Sequence, residues 1–350
     1  MTGKTVLVAG AHGLIGRALI GQAGPEADLV GLGRRGGTIG TRARIVSVDL
    51  LDAADVRAKL AGLAPTHIVF AAWTPRATRG AEVAPNLAML RHLMEAVDPA
   101  ALRHVTLLQG GKAYGSHLGG FITPALETDP RHMPPNFYYD QEDYLRDLQA
   151  RAAWAWTVFR PTVVYGLAVG NPMNVTTVIG AYAAISRELG LPLRFPGSGA
   201  AYAVLNQGAD AGLIARAILW AGEAERAANQ IYNITNGDLF RWSRMWPHIA
   251  RGFGMETAEP QAFPFAEFMH DKEALWTRMV ARHGLLPTPF RDVVAWPFGE
   301  FVLQRTFDHV LDTTKLRDHG FTGYESTYRM FDRQFAQMQA ERIIPVMGGA

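Results

Sequence analysis

The stretch VLVAGAHGLIGRALI, residues 6–20, constrains the fold more than any other part of the chain. A short apolar run ends in Gly10, Gly13 and Gly16, spaced G-x-x-G-x-x-G, and leads straight into a helical pattern. Glycine at these points serves a tight turn, close approach of backbone to a pyrophosphate, and close packing of helix on strand. The helix start then offers unpaired N–H groups and a positive dipole end to phosphates. The triplet alone is weakly specific. With a strand before it, a helix after it and a place at the chain start, it predicts a nucleotide site.

The rest of the first 160 residues repeats the same rhythm. Apolar, β-rich runs occur at 5–10, 28–33, 43–50, 67–72, 104–110 and 156–161, with helical stretches near 14–23, 53–63, 83–97 and 139–153 between them. Continuous apolar strands separated by helices imply a parallel sheet covered on both faces, the doubly wound α/β class of the Rossmann fold. Beyond Pro161 the rhythm changes. Helices are expected over 173–189 and 210–221 and a strand over 229–235, and residues 255–300 are rich in Phe, Trp, Met and Pro, which suits an apolar pocket wall or lid. The expected division is a dinucleotide-binding domain over 1–165 and a smaller α/β substrate-binding region over 166–350, packed closely on the first.

Composition narrows the function classes. A formal charge of +2 with scattered basic residues gives no footprint for nucleic acid. There are no cysteines, so disulfides, thiolate catalysis and cysteine metal sites are excluded. The eleven histidines show no H-E-x-x-H or other ligand spacing, and the G-x-S-x-G elbow of serine hydrolases is missing, so no metal is expected. Apolar stretches are too short to span a bilayer and no export leader is read at the N-terminus, so the expected location is cytoplasmic.

Cofactor choice rests on the end of the second strand. NAD sites place Asp or Glu there for the ribose 2′-hydroxyl; this chain reads GLGRR, with Arg34 and Arg35. Guanidinium groups suit the 2′-phosphate of NADP(H), because charge-assisted bidentate bonds need a dianion to answer them. Asp49, closing the third strand, is placed to accept from the adenine amino group. For the acid, Tyr138 in NFYYDQED stands at a helix start, but one turn on is Glu142, not the lysine many reductases carry. A free phenol near pH 10 is a sluggish proton partner unless a cation favours its ionised form. Lys112, just past the fifth strand in LLQGGKAYG, is the candidate cation, since carboxyl ends of strands in such a sheet face the ligand crevice.

These segments together resemble the progesterone 5β-reductase/iridoid synthase family, a divergent branch of the extended short-chain dehydrogenases. The likeness runs over nearly the whole chain, through GRR, GGKAYG, NFYYDQED, FRPTVVYG, MNV, LPLRFPG and YNITNGDLFRW. It implies NADPH-dependent 1,4-reduction of an enone or enal, with hydride going to the β-carbon. Tyr138 and Lys112 are then the pair that stabilises the enolate oxygen. In that picture Lys112 tunes Tyr138, and Glu142 is structural. By the same resemblance the cofactor segments include His12, Gly13, Leu14 and Ile15, Arg34 and Arg35, Asp49 and Leu50, Ala72, Leu108, Val164 and Met173. The implied substrate pocket includes Trp73, Leu118 and Phe298.

The chain departs from the family at three points. Gln109 stands where threonine is usual, Ala113 where histidine follows the lysine, and Leu118 at an aromatic pocket position. These departures imply a wider pocket near the carbonyl than the family's own. Two alternatives stay open at this point: carbonyl (1,2) reduction of a ketone on the same scaffold, and an NADP-binding regulator without turnover. Expected partners are a small enone, enal or ketone, with a homodimer allowed for, and neither nucleic acid nor membrane.

Overall fold

The computed structural model describes residues 3–40 and 43–346. Two compact units emerge: Met1–Thr162 with Ala211–Ile234 and Leu311–Gly323, and Val163–Asp210 with Thr235–Val310 and Tyr324–Ala350. The chain thus passes between units several times, where the sequence reading draws one boundary at 165/166.

The first unit is built on an eight-stranded sheet. Its elements in chain order are β1 (Lys4–Ala9), α1 (Leu14–Gln22), β2 (Ala27–Gly33), β3 (Gly37–Ile39), β4 (Ala43–Ser47), α2 (Ala53–Leu60), β5 (His67–Phe70), α3 (Arg79–Ala96), β6 (His104–Leu108), α4 (Phe137–Gln149) and β7 (Ala155–Pro161). The strand Gln230–Ile234 comes back to pair in parallel with β7 at one edge. Strand order is Gln230–Ile234, β7, β6, β5, β1, β2, β4, β3. Only β3, on β4, is antiparallel. The chain order reverses between β1 and β5, the switch point at which open α/β sheets bind ligands beyond their strand ends.

Central strands are apolar because both faces are covered: Leu7, Val8 and Ala9 of β1, Ile68 and Val69 of β5 and Val105 and Leu107 of β6 are all buried. Two helices that bear on the site, α3 and α4, have side-chain caps. Thr78 accepts from the Ala81 N–H to start α3, and Asn136 accepts from the Tyr138 N–H to start α4.

The second unit has its own aromatic core. Helix Val175–Glu188 is buried from Val175 through Ser186. Around it pack Phe195, Trp242, Trp246, Phe265 and Trp296, with the helix's own Tyr182 edge-to-face to Phe265 at 5.1 Å and Phe265 to Trp296 at 5.4 Å. Much of the apolar run 255–300 is therefore spent on this core, as Met269, Trp276, Met279 and Phe290 are buried too. Among the described residues no helix is long and apolar enough to cross a membrane.

A buried polar cluster joins β6, β7 and α4. Arg160 of β7 donates from Nη2 to Glu142 Oε2 at 3.0 Å, from Nε to Gln109 Oε1 at 2.9 Å and from Nη1 to the Tyr114 hydroxyl at 3.3 Å. Tyr114 donates in turn to Asn233 Oδ1 at 2.6 Å, on the edge strand. The other carboxylate oxygen of Glu142 receives Arg131 at 3.2 Å and Arg146 at 3.1 Å. Removing one member of a buried ion pair leaves the other uncompensated, which costs about 3–5 kcal/mol. Glu142→Ala should therefore lower unfolding free energy in urea by that order; a loss below about 1 kcal/mol, the surface-pair range, would contradict an anchoring role.

Candidate active site

The glycine turn lies at the switch point. Gly10 has φ +84°, and a Cβ there would stand 2.7 Å from the Ala71 carbonyl oxygen, just past β5. A Cβ on Gly16 would stand 2.4 Å from the Gly10 oxygen, so α1 can approach the turn this closely only with glycine. Gly13, whose N–H donates to Gly10 O at 2.9 Å, is the first cap of α1 and brings no side-chain acceptor to it. No acidic residue sits in the first turn of α1. A helix start with free donors beside a backbone cradle fits a diphosphate.

Neighbouring residues extend this cradle toward the two arginines. The His12 ring is hydrogen-bonded through Nε2 with Arg35 O at 3.0 Å, tying the glycine turn to the loop after β2. Arg34 and Arg35 are exposed, and the Arg34 carbonyl accepts from Ser47 Oγ at 3.2 Å, so backbone is held while both guanidinium groups stay free of partners among the described residues. Leu14 and Leu50 are buried, whereas Ile15, Ala72 and Leu108 are half-buried. Asp49 is exposed, and its Oδ1 accepts from the Leu51 N–H at 3.0 Å. The residues present thus fit a dinucleotide. Val164 and Met173 belong to the second unit; both are half-buried, and Met173 stands just ahead of helix Val175–Glu188.

Tyr138 and Lys112 come from segments stitched together by three side chains. Asn136 Nδ2 donates to Lys112 O at 2.9 Å, Gln109 Nε2 donates to Tyr138 O at 2.9 Å, and the Tyr139 hydroxyl donates to Ala113 O at 2.9 Å. The turn Gly111–Tyr114 is thereby fastened to the first turn of α4. The Tyr138 hydroxyl reaches the carboxyl end of β6: a Cβ on Gly110 would be 3.5 Å from it. It has no hydrogen-bond partner among the described residues. Lys112 Nζ lies 5.5 Å from the centre of the Trp73 ring and likewise has no hydrogen bond or ion pair among them. Trp73 itself is half-buried, with its indole N–H buried and unpartnered.

Burial and two residues of α3 dominate the electrostatics of the pair. Burial, and then the Glu82 carboxylate, push the Tyr138 phenol well above its ordinary range, while Arg79 pulls the other way. At neutral pH this phenol is a hydrogen-bond donor, not a phenolate. Lys112 is lowered by burial and then by Arg79, and Glu82 opposes both.

Glu82, Arg79 and His117 are thus the residues the sequence reading missed. With Lys112, Pro135, Asn136 and Phe137 they line one small cavity. Glu82 is 4 % exposed and pairs with Arg79 Nη1 at 3.5 Å. His117 is driven down to about 4, chiefly by burial and then by Arg79 and Lys112, so it is neutral at pH 7, and its Nδ1 is buried without a partner. A faint signal lay in Asn86, four residues after Glu82 on α3 and so on its face. Asn86 locks the loop carrying Trp73 by exchanging two 2.9 Å bonds with the Thr74 backbone. Leu118 is 59 % exposed, which is no pocket wall within its own unit. Phe298, in the second unit, is half-buried against that unit's core, 6.4 Å from the Phe301 ring.

Known proteins match this chain closely. A profile describing a PRISE-like Rossmann-fold domain covers residues 44–345. The (S)-8-oxocitronellyl enol synthase ISY1 of Nepeta cataria is 35% identical over 316 residues, spanning 86% of this chain and 80% of the relative. The 3-oxo-Delta(4,5)-steroid 5-beta-reductase of Arabidopsis thaliana is 32% identical over the same shares of each chain. Among solved structures, UDP-glucose 4-epimerase from Thermotoga maritima superposes with a TM-score of 0.69 at 16% identity, covering 96% of this chain and 99% of that one. A short-chain dehydrogenase/reductase from Agrobacterium tumefaciens with bound NAD gives 0.65 at 15% identity, covering 97% and 98%. Those two likenesses concern the fold. On the profile and the sequence relatives, the chain is an oxidoreductase of the short-chain dehydrogenase/reductase superfamily and belongs to its PRISE family.

Proposed function

We propose that this protein is an NADPH-dependent reductase of activated C=C bonds, acting on an enone or enal, with Tyr138 and Lys112 holding the oxygen that gains charge. The observation that carries the reading is the unpartnered Tyr138 hydroxyl at the carboxyl end of β6, beside the turn that presents Lys112. The names of the relatives, an enol synthase and a steroid 5-beta-reductase, support the reaction class.

The cofactor would be held by the glycine turn and the start of α1, with Arg34 and Arg35 on its 2′-phosphate and Asp49 on the adenine side. When bound, NADPH supplies the hydride that reaches the substrate β-carbon. The carbonyl oxygen then becomes an enolate oxygen and needs a donor already in place. A neutral phenol held off its ionised form by burial meets that need without first giving up its proton. Lys112 adds positive charge to the same wall, and the Trp73 face beneath its ammonium keeps that charge desolvated and therefore strong. Gln109, in place of the family's usual threonine, is buried against Tyr138 O and Arg160, so it acts on the position of the tyrosine and not on substrate.

Tyr138→Phe should lower kcat on an enone by roughly 100-fold or more, while NADPH affinity in a fluorescence titration stays within a few-fold of the parent. Unchanged turnover would remove the donor role. The matching saturated ketone serves as control, and turnover on it alone would move the reaction to the carbonyl carbon. Replacing Arg34 and Arg35 together by alanine should weaken NADPH by about 10- to 100-fold, from the loss of charge-assisted bonds, with little effect on NADH. Equal losses for both cofactors would contradict the phosphate assignment.

A further inference from the structure

Lys112 enters the cavity as a half-buried ammonium with no hydrogen bond or ion pair among the described residues. Its cationic neighbours are Arg79 from α3 and, once protonated, His117. Both disfavour its charge. An ammonium so placed tends to lose its proton, and a neutral amine would contribute nothing to holding an enolate. Among the described residues the cavity wall carries one acidic side chain, Glu82, and that carboxylate is buried while the one ion-pair partner found for it there, Arg79, is half-exposed and 3.5 Å away. A buried carboxylate with one distant, solvent-screened partner needs a further cation, and Lys112 lines the same cavity.

We propose that Glu82 is the counter-ion of Lys112, a positioning residue that keeps the ammonium charged and facing the cavity. The proposal rests on the functional reading above only in giving Lys112 a task; the counter-ion relation itself stands on the cavity. The groups facing Lys112 are Arg79 and Glu82 from α3, His117 from the loop just past its own turn, and the Trp73 ring from the loop after β5. The Tyr138 phenol, from α4, feels Glu82 and Arg79 as well. Of the charged groups among these, only Glu82 favours the protonated amine, and the Trp73 ring face adds a cation–π attraction that no carboxylate variant removes. The sign follows: removing the Glu82 charge lowers the pH at which Lys112 deprotonates, and removing the Arg79 charge raises it.

The test reads Lys112 itself in the full-length protein without cofactor. Acetic anhydride modifies only the neutral amine, so the labelling of Lys112 followed by peptide mass spectrometry across pH gives its midpoint. Glu82→Gln should move that midpoint down by about one pH unit or more, Glu82→Asp should restore part of it, and Arg79→Gln should move it up. An unchanged or raised midpoint in Glu82→Gln overturns the proposal. If that variant fails to fold by circular dichroism, Glu82→Asp decides: its shorter side chain carries the carboxylate away from the amine and should move the midpoint down part of the way, and an unchanged or raised midpoint there overturns the proposal. A separate arm measures kcat on an enone against pH. The alkaline limb of Glu82→Gln should fall with the labelling midpoint. Full turnover in Lys112→Met would sink the catalytic role of lysine but leave the counter-ion standing; a loss there, with an unmoved midpoint in Glu82→Gln, would do the reverse.

Discussion

The arrangement depends on the buried guanidinium of Arg160. A charge placed between β7 and α4 must be answered on the spot, because the interior offers no water to do so. Glu142 answers it at 3.0 Å and Gln109 at 2.9 Å. This obliges α4 to turn Glu142 inward, and the residue one helical turn earlier on that face is Tyr138. The phenol is therefore aimed by an ion pair it never touches. Gln109 reinforces this from the other side by binding the Tyr138 carbonyl, and Asn136 binds the Lys112 carbonyl in the same way. The acid and the cation of the proposed chemistry are fixed through backbone atoms, so their functional ends stay free.

That construction explains how a reductase scaffold can place glutamate where a helical lysine is common. Taken alone, a carboxylate at that spot would oppose ionisation of the phenol. Here three arginines, Arg131, Arg146 and Arg160, engage it and draw its charge away from Tyr138. The carboxylate the phenol does feel is Glu82, from another helix. Burial and Glu82 act together to keep the hydroxyl protonated. A donor of this kind suits stabilisation of a developing oxyanion better than abstraction of a proton. Lys112, in turn, is desolvated over an indole face, where a single charge carries farther than in water.

Local pattern carried much of this. Gly10 and Gly16 are legible because their constraint is backbone geometry: φ +84° at one, a 2.4 Å approach at the other. The strand ends were readable because a parallel sheet demands continuous apolar runs, and β1, β5 and β6 show them. Short pieces such as β3 escaped notice, since three residues in GTI are too few to show a period. The aromatic run 255–300 reads equally as lid or core; only packing shows how much of it, Phe265, Trp276 and Trp296 among others, fills the second unit. Leu118 follows a motif position, but its 59 % exposure comes from the path of the loop, which no motif encodes.

By itself, then, the order of residues determined the doubly wound class through its periodicity and the family through its motifs, and it singled out Tyr138 and Lys112 as candidates. Charge balance was decided only in three dimensions. Glu82 and Tyr138 are 56 positions apart, and nothing in either segment announces that the carboxylate adds to burial in raising the phenol. Desolvation and Coulomb forces depend on distance through space and on the walls around a group, so α3, α4 and the turn after β6 had to meet before the phenol, the ammonium and the carboxylate could acquire their roles.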